Sequence, residues 1–485
     1  MSSINIEKIS IVHWFPELER HTCGYCKKEN GAVSYGMWAE QLNIDDYQNL
    51  IDRGWRRSGM YCYKPIMDLT CCPQYTIRCN TLQFKISKSQ KKIIKKFNKF
   101  VTDGSGFKDP VIGEPMDDVQ HEHIIIKEKP NVSLDYNQLN VTALNDKIED
   151  ATEASSSASV EVLKIEVPKP MDKLPVGPNP NKPPSKKAKV LRLERKKQKL
   201  LAKGIVFEPN ASKGNEVKSL EDFLKDIPEN AKYKFKTKLI PSVHINNELE
   251  NDKIIEFQLY KKYQMAVHND PPDKCTITGF TRFLISSPLK SVRVRGNTSS
   301  VTYGTFHQQY WLDDKLIAVA VLDILPRCVS SVYFFYDPEY RFLTLGTYGS
   351  LREIQFVRSL HATVPAIQYY YMGFYIHSCP KMRYKGKINQ SFLLCPETYN
   401  WFPIDDCITK LDKNKYSRLN DDPDAVDENL CTRADIDRIK VCVSYSFTLF
   451  GNYKHQYGEQ DVFDNIGRLI GKKNASNLLF VSSKE

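Results

Sequence analysis

The sequence predicts a mixed α/β fold of the α+β type, and the observations behind this prediction come from the second half of the chain. Two apolar runs rich in β-branched residues, KLIAVAVLDIL and VSSVYFFYDP, are separated by a turn at residues 326–328, so we expect an antiparallel hairpin. LREIQFVRSLHA has the period of an amphipathic helix, and AIQYYYMGFYI is another apolar strand. Strand, strand, helix and strand in this order are typical of α/β and α+β domains.

A cysteine-rich N-terminal domain is predicted over residues 1–105. Within it, WAEQLNIDDYQNLI has a helical pattern, QYTIRCNTLQFKI alternates like a strand, and SKSQKKIIKKFNKFV forms a second helix that begins at one of its serines. The lysines of this second helix cover one face, which either follows a phosphate backbone or is only solvated. Its apolar residues recur at helical spacing and are expected in the core; they are Ile93, Ile94, Phe97 and Phe100.

A disordered linker is predicted over residues 106–203. It contains only two aromatic residues, Phe107 and Tyr136, so it cannot bury enough apolar surface to offset the entropy that is lost on ordering. The linker ends in SKKAKVLRLERKKQKLLAK, a predicted basic helix, and residues 181–203 carry ten basic residues and one acidic residue. This basic run docks tRNA, directs nuclear import, or is only a solvated charged helix.

The composition of the 485 residues excludes several classes of protein. The N-terminus MSSINIEKIS lacks the apolar core of a secretory signal, and the longest uncharged stretch, residues 359–380, contains histidines and prolines, so we expect neither secretion nor a membrane span. The 13 cysteines are an odd number, which favours a reducing intracellular compartment over a disulfide framework. The net charge of +11 suggests an anionic partner such as nucleic acid.

Four cysteines form a candidate metal site. Cys23 and Cys26 are a C-x2-C pair, and Cys71 and Cys72 are adjacent and precede a proline. Four thiolates suit a tetrahedral Zn²⁺ or an iron–sulfur cluster, and a set of buried free thiols is the alternative. Adjacent side chains of a strand point to opposite faces, so Cys71 and Cys72 can share one metal only from a turn. Two further cysteines lie nearby in the sequence and could replace one of the four; they are Cys62 and Cys79.

Long motifs in both halves of the chain carry a resemblance to a known family. The motifs CGYC, DRGWRRSGMYCYKP and TCCPQYTIRC lie in the first half, and HQQYWLDDKLIAVAVLDILP, VSSVYFFYDPEY, LGTYGSLREI and YYYMGFYIHSCPKMRYKG lie in the second. They resemble the N- and C-terminal domains of the eukaryotic arginyl-tRNA–protein transferases, over residues 10–100 and 215–405. The resemblance implies a GNAT-like acyltransferase core, which we assign to residues 204–405. We expect the remaining residues, 406–485, to form a C-terminal extension that packs on this core. The resemblance also implies that the metal-binding set is Cys23, Cys26, Cys71 and Cys72.

The activity implied by the resemblance is transfer of arginine from Arg-tRNA to the α-amino group of proteins that begin with Asp, Glu or oxidised Cys. This transfer would mark those proteins for ubiquitin-dependent degradation in the cytoplasm and nucleus, with no membrane as partner. Aminolysis of an ester needs no redox cofactor and no ATP, so we expect neither NAD nor ATP. An α-amino group has a pKa near 8, so a modest base is enough when positioning and oxyanion stabilisation supply the rest.

The polar residues of the second half supply candidates for each role. An arginine fork or a lysine suits an acidic side chain, and a carboxylate suits the arginyl group. Each candidate also has an ordinary structural alternative, as a surface ion pair, a core tyrosine or a hydrogen-bonded histidine. The candidate catalytic residues are His307, Asp323, Tyr333, Asp337 and His377. The candidate substrate-binding residues are Arg352, Glu353, Lys381, Arg383 and Tyr384.

Two other functions stay open on the sequence. One is an acyl-CoA-dependent N-acyltransferase, whose Q/R-x-x-G-x-G/A loop is not matched by RFLTLGTYGSLREI because its glycines have a different spacing. The other is a zinc-dependent tRNA- or RNA-binding adaptor, which would bind tRNA without turnover. Acetyl-CoA binding tests the first alternative, and arginine incorporation from charged tRNA tests the second.

Overall fold

The computed structural model describes residues 9–106, 127–130, 218–294, 301–444 and 446–482. The described residues within Met1–Thr152 and Ser219–Glu485 belong to one compact unit. The predicted disordered linker and its basic helix lie outside the described residues, apart from residue 106 and residues 127–130. No described helix has both the length and the apolar composition that a membrane crossing requires.

The described β-strands form two large sheets. The strands are β1 (Ser10–His21), β2 (Ala32–Gln41), β3 (Arg56–Ser58), β4 (Tyr61–Pro65), β5 (Tyr75–Asn80), β6 (Phe235–Pro241), β7 (Val292–Arg293), β8 (Thr302–Leu312), β9 (Lys315–Ile324), β10 (Cys328–Tyr336), β11 (Tyr369–Tyr375), β12 (Ser391–Leu394), β13 (Trp401–Pro403), β14 (Lys440–Val443), β15 (Ser446–Leu449) and β16 (Leu478–Val481). The first sheet has the order β15-β14-β16-β1-β2-β4-β3. The second has the order β13-β12-β5-β11-β10-β9-β8-β6, and β7 pairs with β8.

Helices pack against these sheets. The α-helices are α1 (Ile44–Ile51), α2 (Lys88–Asp103), α3 (Leu220–Lys225), α4 (Ser242–Asn247), α5 (Glu250–Tyr263), α6 (Ile277–Phe280), α7 (Leu345–His361), α8 (Ile404–Lys413), α9 (Arg433–Asp437), α10 (Phe450–Tyr457), α11 (Gln460–Ile470) and α12 (Lys472–Ala475). Two 3-10 helices cover Pro338–Leu343 and Pro380–Lys387, and π-helical turns cover Gln264–His268 and Thr281–Ile285. The mixed α/β prediction is confirmed, because the antiparallel pair β9–β10 is followed by α7 and then β11.

The helix α2 illustrates how the sequence sets a local element. The Ser87 side chain accepts from the Gln90 amide, and the Gln90 side chain accepts from the Ser87 amide, so a capping box starts the helix. Gly104 ends it with a φ of 75°, which glycine adopts without strain. Three residues of the predicted apolar stripe, Ile94, Phe97 and Phe100, are buried, and Ile93 is partly buried against the same core. Phe97 stacks on Tyr348 of α7 with ring centroids 3.9 Å apart. This packing attaches α2 to α7, the helix that lies beside the candidate functional site described below.

The two sheets combine strands from both ends of the chain. In the second sheet β5 lies between β11 and β12, and in the first sheet β16 pairs in parallel with β1. Strands from residues 1–105 contribute to both sheets, and strands of the predicted C-terminal extension join the first, so the ends of these two predicted segments do not coincide with a division between the sheets. The physical reason is that strand pairing depends on which edges meet in three dimensions, and composition along the chain does not record this. The boundary predicted near residue 203 lies outside the described residues.

Strands β10 and β11 separate after a short parallel ladder. Their pairing joins Cys328–Ser330 to Tyr369–Tyr371, although both strands lie wholly within the described residues and continue further. The register of each strand with its other neighbour shifts at the same level, after Ser331 in β10 and after Tyr371 in β11. Gly373 has a φ of 67° in this irregular part of β11. Such shifts bend strands apart, and here they open a pocket.

Candidate functional site

The first pair of predicted metal ligands lies in a tight turn between β1 and β2. The Cys23 amide donates to the Lys28 carbonyl, and the Lys27 amide donates to the Cys23 carbonyl, both at 2.9 Å. Lys27 has a φ of 63°, in the left-handed region that tight turns use. This backbone turn directs the Cys23 and Cys26 sulfurs to one side.

The second pair lies in a bend between β4 and β5. The Cys71 amide donates to the Gly31 carbonyl at 2.9 Å, which joins this bend to the first turn. A Cβ at Gly31 would lie 2.7 Å from the Cys71 sulfur, so only glycine allows this approach. The four sulfurs of Cys23, Cys26, Cys71 and Cys72 lie within 4.8 Å of one another. We call this group the cysteine cluster; it has the predicted members, and a bend carries the adjacent pair, as predicted.

The chemistry of the cysteine cluster suits a cation. A hydrogen bond from the Lys28 backbone lowers the pKa of Cys26 to about 7, whereas burial and the neighbouring thiols raise the pKa of Cys72 to about 11. Four thiolates this close repel one another, and a bound cation reverses that repulsion. The residues therefore fit a metal, and the sulfurs alone do not distinguish zinc from iron. Cys62 and Cys79 are buried away from this group, in two separate hydrophobic cores.

A pocket lies between β10 and β11, beside the beginning of α7. We call it the strand pocket, and its wall includes a carboxylate and three cationic groups. The residues that matter for its chemistry are Arg56, Arg57, Ser331, Glu353, Tyr370 and Lys385. The two arginines come from β3 in the first sheet, and the other residues come from β10, α7, β11 and the 3-10 helix Pro380–Lys387. Both ends of the chain therefore build one site.

Glu353 is the carboxylate of the strand pocket. It is fully buried, and burial raises its pKa to about 7 although hydrogen bonds from Tyr370 and Ser331 oppose the shift. Its Oε2 atom has no hydrogen-bond partner among the described residues. A buried carboxylate with one free oxygen and a pKa near neutrality can accept a proton at cellular pH.

The cationic groups of the strand pocket are fixed by the backbone and by a buried ion pair. Arg56 donates to the Gly373 carbonyl at 3.2 Å, and Lys385 donates to the Phe374 carbonyl at 2.9 Å. The Arg56 Nε atom has no partner among the described residues. Arg56 and Lys385 thus both bind the irregular part of β11, and their positive charges lie beside the strand pocket.

Arg57 forms the buried ion pair. Its Nε and Nη2 atoms donate to the two carboxylate oxygens of Asp323 at 2.8 and 2.7 Å, and Thr305 donates to Asp323 at 2.7 Å. Neither side chain of the pair is exposed. Burial opposes the charge of Arg57, but Asp323 raises its pKa overall. Fork-on-fork geometry of this kind positions a guanidinium firmly.

The comparisons with known proteins agree with this arrangement. Residues 255–395 match the family described as "Arginine-tRNA-protein transferase, C terminus", and residues 21–92 match "Arginine-tRNA-protein transferase, N terminus". The chain is 42% identical to Arginyl-tRNA--protein transferase 1 of Drosophila melanogaster, over 98% of this chain and 99% of the relative. The chain belongs to the arginyl-tRNA–protein transferase family.

More distant relatives extend the family comparison. The chain is 33% identical to Arginyl-tRNA--protein transferase 2 of Arabidopsis thaliana, over 83% of this chain and 76% of that relative. It is 28% identical to an Aspartate/glutamate leucyltransferase of Acinetobacter baylyi, over 27% of this chain and 42% of that relative. The arginyltransferase resemblance seen in the motifs is thus confirmed along nearly the whole chain.

Two of the candidate catalytic residues, His307 and Asp323, are members of buried ion pairs. The two ring nitrogens of His307 contact the Glu256 carboxylate at 2.6 Å and the Leu284 carbonyl at 3.1 Å, and the side chain is fully buried. Burial lowers its pKa, but the charge of Glu256 raises it overall. Asp323 is held by Arg57 behind the strand pocket. Both side chains are thus engaged in buried contacts, and neither lines the strand pocket.

The other three candidate catalytic residues lie outside the strand pocket. Tyr333 is buried, and its hydroxyl lies 3.3 Å from His268. Asp337 caps a 3-10 helix and pairs with two lysines. His377 contacts Asp412 at 2.7 Å, in the loop after β11. The ordinary structural alternatives describe these contacts.

The candidate substrate-binding residues divide into two groups. Glu353 lies in the strand pocket. Burial raises the pKa of the nearby Tyr384, and the charge of Glu353 adds to this shift. Arg352 instead places its guanidinium over the Phe235 ring, 5.2 Å from the centroid. Lys381 and Arg383 are exposed on the 3-10 helix that carries Lys385.

Sequence reasoning missed Arg56, Arg57 and Lys385. All three stand inside quoted motifs, DRGWRRSGMYCYKP and YYYMGFYIHSCPKMRYKG. Adjacent arginines next to a short apolar strand are a usable indication, since charged residues are rarely buried without a partner. The partner, however, lies in the other half of the chain, and local sequence does not identify it.

Proposed function

We propose that this protein transfers arginine from Arg-tRNA to the α-amino group of proteins that begin with Asp, Glu or oxidised Cys. The product would be a degradation mark for the ubiquitin system, made in the cytoplasm and nucleus. The observation that carries the proposal is the 42% identity to an arginyl-tRNA–protein transferase over 98% of the chain. The name of a more distant relative, Aspartate/glutamate leucyltransferase, supports acidic acceptors.

The strand pocket is the proposed reaction site. Separation of the parallel strands β10 and β11 beside the start of α7 supports a GNAT-like acyltransferase core, with the aminoacyl end of the donor entering between the strands. Arginyl transfer forms a C–N bond between the α-amine and the arginyl carbonyl carbon, and it breaks the ester bond to the ribose oxygen. The α-ammonium loses one proton to solvent before attack, and the attacking nitrogen loses a second as the C–N bond forms. The ribose oxygen gains a proton as it departs.

Glu353 is the proposed base for the second of these protons. Its free Oε2 and its pKa near 7 allow it to accept the second proton, from the attacking nitrogen, and return it to the leaving oxygen. The other two candidate carboxylates, Asp323 and Asp337, are already paired with cations. Arg56 and Lys385 stand at the pocket wall with fixed side chains, which suits the negative charge that develops on the carbonyl oxygen.

The cysteine cluster is the proposed site of a zinc ion or an iron–sulfur cluster. Bound there, such a centre would supply a fixed cross-link between the turns that carry Cys23 and Cys72. Cys72 packs with Ile376 and Met382 from the chain that follows β11. The protein residues themselves would thus keep the end of β11 in place beside the strand pocket.

The tRNA is proposed to contact a stripe of lysines on α2. Lys88, Lys92, Lys95 and Lys99 are exposed and lie on one helix face, spaced about 5 Å along the axis. Within the described part of the chain, none of these four forms an ion pair with a carboxylate. Lysines free of carboxylates suit a phosphate backbone, and salt-sensitive binding is the expected consequence.

Arginine incorporation tests the proposal directly. Charged Arg-tRNA is incubated with the full chain and with peptides that begin with Asp, Glu or Ala. We expect arginine on the Asp and Glu peptides and little on the Ala peptide. Equal incorporation into all three would contradict the acidic specificity, and tRNA binding without any transfer would favour an RNA-binding adaptor.

A further inference from the structure

A second cavity lies next to the strand pocket, beside β4 and β5. Gly54 on its wall is two residues from Arg56 of the strand pocket, and Thr76 on its wall pairs with Phe374, the neighbour of Gly373 in that pocket. The volume of this second cavity is about 440 Å³, which is large enough for several side chains of a bound molecule. Four cationic side chains and three carboxylates stand on its wall. We call it the Tyr399 groove, and the residues that matter for its chemistry are Arg53, Gly54, Lys64, Thr76 and Tyr399.

Two polar groups in the Tyr399 groove are poorly satisfied. The Lys64 ammonium is buried, and the one hydrogen bond described for it runs to the Arg53 carbonyl. The Thr76 side chain is 2% exposed, and its Oγ1 has no partner among the described residues. Buried polar atoms without partners are uncommon in native proteins and often mark a site for something absent.

The Lys64 ammonium and the Thr76 hydroxyl both lie close to the backbone of Gly54, which has no side chain. A Cβ at Gly54 would lie 3.6 Å from the Lys64 Nζ atom and 3.7 Å from the Thr76 Oγ1 atom. The two polar atoms are therefore within about 7 Å of each other, a span that one carboxylate can bridge with two hydrogen bonds of about 2.8 Å. The φ of Gly54 is 86°, so the chain requires glycine here, and no side chain fills the space between the two groups.

The groove wall carries four cationic side chains and three carboxylates, one of them Asp68, so its net charge is positive when Lys64 is protonated. Arg53 is bound by Asp427 at 2.7 Å, and Arg418 is bound by Glu397 at 2.8 Å, so two of the cations are already neutralised. Lys64 has no such carboxylate among the described residues, and burial together with Arg53 lowers its pKa. An incoming anion would restore the charged form of the lysine and satisfy the threonine hydroxyl.

An aromatic wall is fixed next to these groups. The Arg53 guanidinium lies 4.0 Å and the Lys64 ammonium 4.5 Å from the centroid of the Tyr399 ring. Tyr399 has a φ of 55°, which is unusual for a bulky residue and is found where surrounding contacts hold a functional geometry. The ring thus offers an apolar surface beside the proposed anion position.

We propose that Lys64 and Thr76 bind the anionic side chain of the first residue of the acceptor protein. The shared chemistry is a carboxylate of Asp or Glu, or a sulfinate or sulfonate of oxidised Cys, next to an α-ammonium. This inference rests on the proposed arginyl transfer and names the group that selects the acceptor. It differs from the sequence-based choice of Arg352, Lys381 and Arg383, none of which lines either cavity.

Kinetic comparison of four variants tests the inference. Lys64→Met and Thr76→Val remove the two proposed contacts, and Lys381→Ala/Arg383→Ala tests the sequence-based choice. Lys440→Met is the matched control, because Lys440 also donates to a backbone carbonyl, that of Ser476, and burial also lowers its pKa. Each protein is assayed with peptides that begin with Asp, Glu, cysteic acid or Gln, the last as the neutral isostere of Glu.

We expect Lys64→Met to raise the KM for the three acidic peptides at least tenfold and to reduce their advantage over the Gln peptide, with the KM for Arg-tRNA unchanged. Thr76→Val, which keeps the shape, should raise the same KM values about threefold or more. The control and the Lys381/Arg383 variant should behave like the wild type. Full selectivity in both Lys64→Met and Thr76→Val, or a rise in the KM for Arg-tRNA alone, would overturn the inference.

Stability and binding separate a ligand site from a structural role. If Lys64 is mainly a structural residue, Lys64→Met should unfold at lower denaturant concentration; if it awaits an anion, the variant should be as stable as the wild type or more so. Should Lys64→Met fail to fold, the isosteric Thr76→Val carries the test. If the wild type transfers no arginine, the proposed function fails; tighter binding of the Glu peptide than the Gln peptide would still support the groove, and equal binding would overturn it.

Discussion

Replacing Glu353 by glutamine separates the catalytic value of this carboxylate from its effect on stability. Glutamine keeps the shape of the side chain but cannot accept a proton. Loss of a general base lowers the rate of such reactions about 100- to 10,000-fold, so arginyl transfer should fall within that range. In the wild type the rate should rise as pH increases through about 7, the pKa of Glu353, and the variant should lose that rise. What remains in the variant is the titration of the acceptor amine, near 8.

The same substitution should stabilise the fold, and the size follows from the pKa. Burial raises the pKa of Glu353 from 4.5 to about 7, so the folded state binds this proton more tightly than the unfolded chain. The stability that this proton provides is present below the unfolded pKa and is lost as pH rises through the folded pKa. Between about pH 5 and pH 8 the wild type should lose roughly 2–3 kcal/mol relative to Glu353→Gln.

Denaturant unfolding of both proteins at these two pH values measures the effect. Taking the difference between them cancels other titrating groups, such as the buried His307, which is present in both. Glu428→Gln is the control, because Glu428 is exposed and lies outside the pocket. A variant with wild-type turnover, or a stability difference that does not change with pH, would refute the assignment of Glu353 as a buried base.

Three further predictions concern other parts of the molecule. Cys72→Ser should lower bound zinc or iron and arginyl transfer together, and full metal content in a variant with all four cluster cysteines replaced by serine would contradict the metal site. Arg57→Met should reduce the free energy of unfolding by about 3–5 kcal/mol, because Asp323 stays buried without its cation. Arg57→Met/Asp323→Leu should recover most of this loss. Equal stability of the wild type and the single variant would refute the buried ion pair. Lys92→Gln/Lys95→Gln should raise the KM for Arg-tRNA and make it less dependent on salt. The slope of the logarithm of affinity against the logarithm of salt concentration should fall by about 0.7–0.9 for each phosphate that is no longer neutralised. An unchanged slope would mean that the lysines of α2 are only solvated and do not contact tRNA.

Local elements of this fold were predictable because their causes are local. The apolar stripe of α2 and the capping serine lie within a few residues of each other, and the β9–β10 pair needs only a short turn. The cysteine cluster was predictable for a similar reason, since thiolate chemistry and turn geometry limit what four such cysteines can do. Gly31, whose missing side chain allows the approach of Cys71, was not recognised, because the need for it arises only when the two bends meet.

The strand pocket was less predictable because its members meet across long stretches of chain. Arg57 and Asp323 are 266 residues apart, and neither local pattern indicates the other. The surroundings of His307 were equally hard to foresee. A histidine on an apolar strand of the second half was a reasonable catalytic candidate, but its partner Glu256 comes from α5, 51 residues earlier, and the pair is sealed in the core.

The position of the cysteine cluster gives a structural reason why the content of bound metal and the rate of arginyl transfer are expected to fall together. The chain leaves the first sheet at the end of β4, passes through Cys71 and Cys72, and enters the second sheet at β5. β3, which pairs with β4, carries Arg57 of the strand pocket, whereas β5 pairs with β11, whose far end packs on the cluster. A centre held by the four sulfurs would fix this crossing, and with it the distance between the arginines of one sheet and Glu353 beside the other. Since rates of ester aminolysis depend steeply on such distances, an unfixed crossing is enough to slow transfer.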